Sequence, residues 1–488
     1  MRRKFISSVF ALWSVCMPTV YAPSVYAQAL EVPDSSDLET MFEAGYAAIF
    51  ACSSQFIAGR SLEQITNLEI TASDTEPHTV AGEPPKFSVD FENKTVSVPF
   101  STGYPPIHAA FREGIGCSVL PWGADINAKD DLPTLSKKRP SYNRDDDQWP
   151  ETGPIKVAAT LKSYAPALEK VVDRVFDPEI YGTGSRTIGV IVLHKGEVVA
   201  ERYRDGFGPH TQYRTWSTAK SLASAVVGVA IHRGILPDPS TPVSIPEWSD
   251  TNDPRRAITL ENLLQMASGL GTVVPDVGSA TEAAYFAGIN SAADATSRPL
   301  VHAPGTKFHY SNYDTLLLMR ALKAAMGKPQ KYLDFPYRRL FDKIGMHNTF
   351  AETDAYGNFV MSSQVYTNVR DLARFAYLYL QDGVWEGERI LPKGWVRYSC
   401  TPTTAEADLE DYIHYGAQWW MYDLTFDPTD GIDDFRICST NGARGQYAAF
   451  SPEHDLVIVR RGIDAWSGDG FKQKRFFEDV VRAVAGKK

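Results

Sequence analysis

Apolar residues in SYAPALEKVVDRVF, residues 163–176, recur at helical spacing and leave one stripe to face a core. The period then shortens. TIGVIVLH (187–194) and EVVAERYR (197–204) read as strands joined in a tight hairpin through Lys195-Gly196. Ser217 opens STAKSLASAVVGVAIHRG, where alanine and leucine favour helix and Gly234, after His232 and Arg233, supplies the stop. Residues 246–370 read mainly as helix and loop, with ITLENLLQMASGL and YDTLLLMRALKAAMG as the strongest segments. HYGAQWWMY, FRICSTNG, QYAAFSP and DLVIVRRG then supply strands, and FKQKRFFEDVVRAVAG a closing helix. Two early strands, a helical block, late strands and a last helix predict one α/β layer built from distant parts of the chain. Residues 161–488 form this unit, with about 246–370 as a helical insertion beside the sheet.

The chain before residue 161 follows no such plan. A helix is expected over 36–65 around DLETMFEAGYAAIF, and KFSVDFENKTVSVPF alternates like two short strands across Glu92-Asn93. Residues 118–155, rich in Pro, Asp and Lys, read as an extended surface connection. Residues 28–160 are therefore taken as an N-terminal accessory region. At the start, basic MRRK, apolar FISSVFALWSV and a small-residue end at VYA mark residues 1–27 as a secretory signal peptide, cleaved after Ala27 or alternatively Ala29. The apolar run falls short of the roughly 20 residues that span a bilayer, so no stable membrane insertion is expected after cleavage.

Composition narrows the classes. The 488 residues are 43% hydrophobic and 22% charged, as in a soluble globular protein. The net charge of -10 becomes -13 once the three basic residues of 1–27 are removed, which argues against a general nucleic-acid binder. Beyond Cys16 lie Cys52, Cys117, Cys400 and Cys438. Their even number and clustering in two couples suggest Cys52–Cys117 and Cys400–Cys438 in an oxidising periplasmic or extracellular setting. Four cysteines allow three connectivities, and buried free thiols are the alternative.

The chemistry centres on Ser217-Thr218-Ala219-Lys220. Residues three apart on a helix share a face, so hydroxyl and ammonium can converge. Serine is a weak nucleophile until a neighbouring base takes its proton. A lysine serves as that base only where its surroundings lower its proton affinity; otherwise it stays charged and sets the local field. The spacing is common by chance, and taken alone an ordinary helix start with a solvated lysine explains it better; its company changes that. Tyr310-Ser311-Asn312 follows a Pro-Gly turn and precedes an apolar helix. Tyr310 could act as phenolate or relay a proton as phenol, and Asn312 could orient the lysine and a substrate carbonyl; a helix cap beside a packed aromatic is the plain reading. Asn441-Gly442-Ala443-Arg444 lies between two strands, where glycine lets backbone approach a ligand. The Ala443 and Ser217 N–H groups could form an oxyanion hole, with a simple turn as the alternative.

In this order the segments resemble the serine β-lactamase and penicillin-binding-protein family, above all its branch of esterases and 6-aminohexanoate-dimer hydrolases. Ser217 and Lys220 match the Ser-x-x-Lys pair and Tyr310 and Asn312 the Tyr-x-Asn motif, and the likeness runs over about residues 165–485. It implies a β-lactamase/transpeptidase-like α/β fold, a mainly antiparallel sheet flanked by helices with a helical subdomain. It also implies an acyl-enzyme on Ser217, with Lys220 and Tyr310 catalytic and neither metal nor organic cofactor required. The departure is Thr440-Asn441-Gly442, which stands where β-lactamases carry Lys-Thr-Gly. The missing lysine turns the expected substrate from β-lactams toward a small linear amide or ester, with Arg444 as a candidate replacement charge. Gln418, Trp419 and Trp420 are expected to line the pocket, although adjacent tryptophans on a strand point to opposite faces. His302 and His309 lack an acidic partner for a Ser-His triad. Met266, Ser268 and Gly269 read as helix packing and a turn, and Asp371 as a helix brace. A strict carboxylesterase, a penicillin-binding or β-lactamase protein, and a noncatalytic scaffold are the competing readings.

Overall fold

The computed structural model describes residues 35–70, 79–140, 154–158, 162–271, 286–466 and 469–486. The expected signal peptide and residues 141–153 of the expected connection lie outside the described residues. The described residues open with α1 (Ser35–Phe56), followed by β1 (Ser88–Asp90), β2 (Thr95–Val98), β3 (Ile107–Arg112) and β4 (Gly116–Val119). Next come β5 (Lys156–Val157), α2 (Ala165–Arg174), β6 (Thr187–His194), β7 (Glu197–Tyr203), β8 (Tyr213–Arg214) and α3 (Thr218–His232). Then follow α4 (Tyr313–Met326), β9 (Phe350–Ala351), β10 (Val365–Thr367), α5 (Val369–Leu380) and a small hairpin, β11 (Val384–Trp385) with β12 (Glu388–Arg389). The last elements are β13 (Ile413–Tyr415), β14 (Trp420–Leu424), β15 (Phe435–Ser439), β16 (Tyr447–Ser451), β17 (Leu456–Gly462) and α6 (Gln473–Val484).

Eight strands form the central sheet in the order β13-β14-β15-β16-β17-β6-β7-β5, antiparallel except for β5 beside β7. Burial on both faces explains why β6 and β17 read as nearly continuous apolar runs. Val190, Val192, Leu456 and Ile458 meet Leu168 and Val172 of α2 and Phe476, Phe477 and Val480 of α6. Ile191, Leu193, Val457 and Val459 face the opposite core with Leu222 and Val226 of α3 and Phe375 and Leu378 of α5. The sheet is therefore sandwiched, and α3 carries Ser217 and Lys220 against it.

Three expectations change. The helix expected over 36–65 stops at Phe56; a one-turn helix, Leu62–Ile65, and a π-helical turn, Thr66–Ile70, follow. Residues 118–119 of the expected connection belong to β4, and Arg139 is docked on Asp342 and the Met346 carbonyl. The block 246–370, expected as mainly helix and loop, also holds β9 and β10, which pair with β8 in a three-stranded antiparallel sheet. Strands of two or three residues are too short to display a period.

In the N-terminal region α1 lies on the antiparallel sheet β1-β2-β3-β4. Cys52–Cys117 joins α1 to β4, and Cys400–Cys438 ties a helix end to β15. Closing loops of 65 and 38 residues stabilises each by about 4 kcal/mol in the chain-entropy picture. Beside the first bridge, Glu352 accepts from Ser53 Oγ and Cys117 N, both at 2.7 Å, and so fastens this region to the rest of the chain. Among the described residues no helix is long and apolar enough to cross a membrane.

Candidate active site

Ser217 stands at the start of α3, immediately after Trp216, whose φ of +49° is left-handed. That conformation costs a non-glycine residue about 1–3 kcal/mol and persists only where packing enforces it. Ser217 occupies the N-cap position, yet its side chain makes no capping bond. One turn on, Lys220 is 1% exposed. Its Nζ donates to Ser217 Oγ at 3.3 Å, to Asn312 Oδ1 at 2.6 Å and to the Ser362 carbonyl at 2.8 Å. Three neutral oxygens thus hold a buried amine beside the serine hydroxyl.

The opposite wall is the turn between β15 and β16. Thr218 Oγ1 donates to the Gln446 carbonyl (2.8 Å) and meets Thr440 Oγ1 (3.0 Å), which accepts from Ala448 N. A Cβ on Gly442 would run into the Thr215 carbonyl oxygen, so glycine is what lets this turn press on the start of α3. Gly442 and Gln446 exchange both backbone hydrogen bonds, at 2.9 and 3.0 Å. The N–H groups of Ser217 and Ala443 have no backbone acceptor among the described residues, an arrangement that can receive a developing oxyanion.

Tyr310 brings the third side. Its ring centroid is 5.0 Å from Lys220 Nζ, and it packs with Trp420 (5.3 Å) and Tyr415 (5.8 Å). Loss of water pushes its phenol up to about 12 although Ser217 and Trp420, within hydrogen-bonding reach, pull it down. It therefore rests as a phenol, and a proton relay suits it better than a phenolate base. Asn312 takes the N-cap position of α4 but makes no capping bond, because its amide oxygen is committed to Lys220.

The structure brings Ser217, Lys220, Tyr310, Asn312, Gly442, Ala443 and Trp420 together and removes three expected pocket residues. Trp419 is 0% exposed and packs with Phe375, Tyr379 and Phe450 in the core, because its strand neighbour Trp420 takes the other face. Gln418 is buried, donating to the Leu263 and Leu264 carbonyls and accepting from Thr315 Oγ1. Arg444 gives its guanidinium to the carbonyls of Leu68, Glu69, Ile463 and Asp464 and to Tyr213 Oη, so it offers no charge to a substrate. His302 and His309 are exposed. Asp371 accepts from Asn348 N and Thr349 Oγ1 and pairs with Arg374. The sequence reading missed the Ser362 carbonyl, 142 residues from Lys220, for which no side-chain signal exists. It also missed Tyr415 and Asp314.

Asp314 sits on α4 just behind this wall, accepting from Ser268 Oγ at 2.6 Å. Burial pushes its carboxyl from 3.8 up to about 7, against hydrogen bonds from Ser268 and Ser311. The native state therefore binds this proton more tightly than the unfolded chain. Its contribution to stability is full below about pH 3.8 and is lost as the pH rises through about 7. Asp314→Asn carries no such proton. The Tm of the wild type relative to that variant should fall from about pH 4 to about pH 7 and level off above. Melting curves in which that difference stays flat or rises would refute this.

The sandwiched antiparallel sheet, with a Ser-x-x-Lys helix facing a Tyr-x-Asn segment and a glycine turn, defines a serine β-lactamase/transpeptidase-like fold. The chain belongs to the Beta-lactamase family, whose model matches residues 172–460. It is 26% identical to the 6-aminohexanoate-dimer hydrolase of Paenarthrobacter ureafaciens over 343 residues, 65% of this chain and 83% of that one. An uncharacterized protein of Alkalihalophilus pseudofirmus is 23% identical over 335 residues, 60% of this chain and 89% of that one. Among solved structures, a beta-lactamase candidate from Bacteroides dorei superposes with a TM-score of 0.52 at 21% identity, over 67% of this chain and 99% of the other. A 6-aminohexanoate-dimer hydrolase candidate from Bacillus anthracis gives 0.50 at 20% identity, over 65% and 81%. At such identities the solved structures establish a shared fold.

Proposed function

We propose that the protein is an exported serine hydrolase that cleaves linear amide and ester bonds through an acyl-enzyme on Ser217. The observation that carries this reading is the buried Lys220 Nζ, 3.3 Å from Ser217 Oγ and held by neutral oxygens. With Lys220 neutral, its two N–H groups stay on Asn312 Oδ1 and the Ser362 carbonyl and its lone pair faces Ser217 Oγ. Oγ therefore attacks the carbonyl carbon as its proton passes to Nζ, and the carbonyl oxygen moves toward the Ser217 and Ala443 N–H groups. The proton then reaches the leaving alcohol or amine through the Tyr310 hydroxyl. Water enters the vacated place and the same groups reverse their roles to release the acid. Thr440 is tied into hydrogen bonds and Arg444 is turned away, so neither of these two supplies the cation that Lys-Thr-Gly offers a β-lactam carboxylate. That favours a linear amide or ester over a β-lactam. The two disulfides favour an oxidising compartment and so export.

Strict esterase action is the second reading, because an alkoxide or phenolate leaves with little help while an amine must be protonated. Tyr310→Phe separates the two. On an anilide and a phenyl ester of the same acyl group, the variant should lose about 10²- to 10⁴-fold in anilide kcat. The acylation burst on the ester should slow by less than about tenfold, because the leaving phenolate needs no such proton transfer, whereas the deacylation that follows uses Tyr310 for both substrates. Equal losses in acylation by both substrates, or wild-type turnover of the ester alone, would reject the amidase part of the reading.

A further inference from the structure

The family match begins at residue 172, yet two contacts reach from residues 35–70 to the backbone that carries the oxyanion donors. The first runs through the aromatic cluster at Trp216. Phe50 of α1 lies 5.6 Å from the Trp216 ring, and the Arg214 guanidinium sits over both, 4.6 Å from Phe50 and 4.4 Å from Trp216. Trp216 is the left-handed residue that aims the following N–H, that of Ser217. The second runs through Arg444, also left-handed (φ +59°), which follows Ala443. Arg444 donates to the carbonyls of Leu68 at 2.9 Å and Glu69 at 3.4 Å. Those carbonyls belong to the turn Thr66–Ile70, which Glu69 locks to the preceding chain through Ser54 Oγ (2.8 Å) and Arg60 (2.6 Å). Each oxyanion donor is thus adjacent to a strained residue, and a different contact from the N-terminal region holds each of those residues.

We propose that the N-terminal region sets the geometry of the oxyanion hole, with Phe50 and Arg444 as positioning residues for the Ser217 and Ala443 N–H groups. This rests on the acyl-transfer reading above. It assigns a role to a region outside the family match: without it the catalytic elements could still bind substrate, while the two donors would lose their common aim. Misplacing a catalytic group by 1 Å costs about a hundredfold in rate, so relaxed donors should lower kcat and leave KM nearly unchanged.

The test uses the full-length protein carrying Arg444→Lys or Phe50→Leu, with an aryl ester as substrate. A serine-reactive phosphonate titrates competent sites, so that rates refer to folded molecules, and a reversible boronic acid probes the tetrahedral state. Each variant should show kcat per titrated site at least about tenfold lower, with KM within about twofold and boronate affinity falling in parallel with kcat. A merely structural brace predicts fewer titratable sites and a lower Tm, with kcat per site and boronate affinity unchanged; that result overturns the proposal. Phe50→Leu keeps an apolar side chain in place, so the test survives if Arg444→Lys does not fold. Wild-type protein that neither reacts with the phosphonate nor turns over ester would instead reject the acyl-transfer reading, a separate outcome.

Discussion

Ser217→Ala should lower kcat by about a millionfold, the scale seen when a serine nucleophile is removed from a preorganised site. The substitution deletes one oxygen at the half-exposed start of α3 and no capping bond, so folding stability should change little. KM should stay near its wild-type value, because the N–H groups, Trp420 and Tyr310 are untouched. Intact-mass measurement gives the sharper reading. Wild-type protein should gain one acyl or phosphonyl group per chain, and the alanine variant none. An adduct that persists in Ser217→Ala would move the nucleophile elsewhere and remove the basis of the proposed reaction.

Lys220→Met should cost about ten-thousandfold in kcat, the upper end of what general acid–base catalysis supplies. Methionine fills nearly the same volume but cannot take the Ser217 proton. It also removes the hydrogen bonds that Lys220 gives to Asn312 Oδ1 and the Ser362 carbonyl. Each lost hydrogen bond costs about 1 kcal/mol, and removing a buried amine relieves desolvation in the opposite direction. The Tm should therefore move far less than the rate. Lys220→Arg should not restore activity: guanidinium keeps its proton at every accessible pH, and its planar fork does not fit three converging oxygens. Turnover by Lys220→Met within about tenfold of wild type would refute its part in proton transfer.

The parts of the site that were legible in sequence are local ones. Ser217 and Lys220 share a helical face because three residues make nearly one turn. The long apolar strands and α6 are likewise spelled out by period, since both faces of the sheet must be buried. The pair of tryptophans shows where that reasoning stops. Alternation said that Trp419 and Trp420 part company, but which one turns toward Tyr310 follows only from the packing of Phe375, Tyr379 and Phe450 around Trp419. Arg444 went wrong for a related reason. Its charge was visible in sequence, whereas the five acceptors that consume it come from residues 68, 69, 213, 463 and 464.

By itself, then, the sequence determined the elements of the sheet and its closing helix, and the placement of a hydroxyl and an amine one helical turn apart. These depend on periodicity and neighbouring residues. Tertiary structure decided what that amine touches: Asn312, 92 residues away, and the Ser362 carbonyl, 142 away. It also decided that Thr440 is consumed by Thr218 and that the N-terminal region reaches Trp216 and Arg444. Backbone carbonyls carry no sequence signature, and burial belongs to the assembled chain. The environment that can make a lysine reactive therefore becomes visible only once distant segments have packed around it.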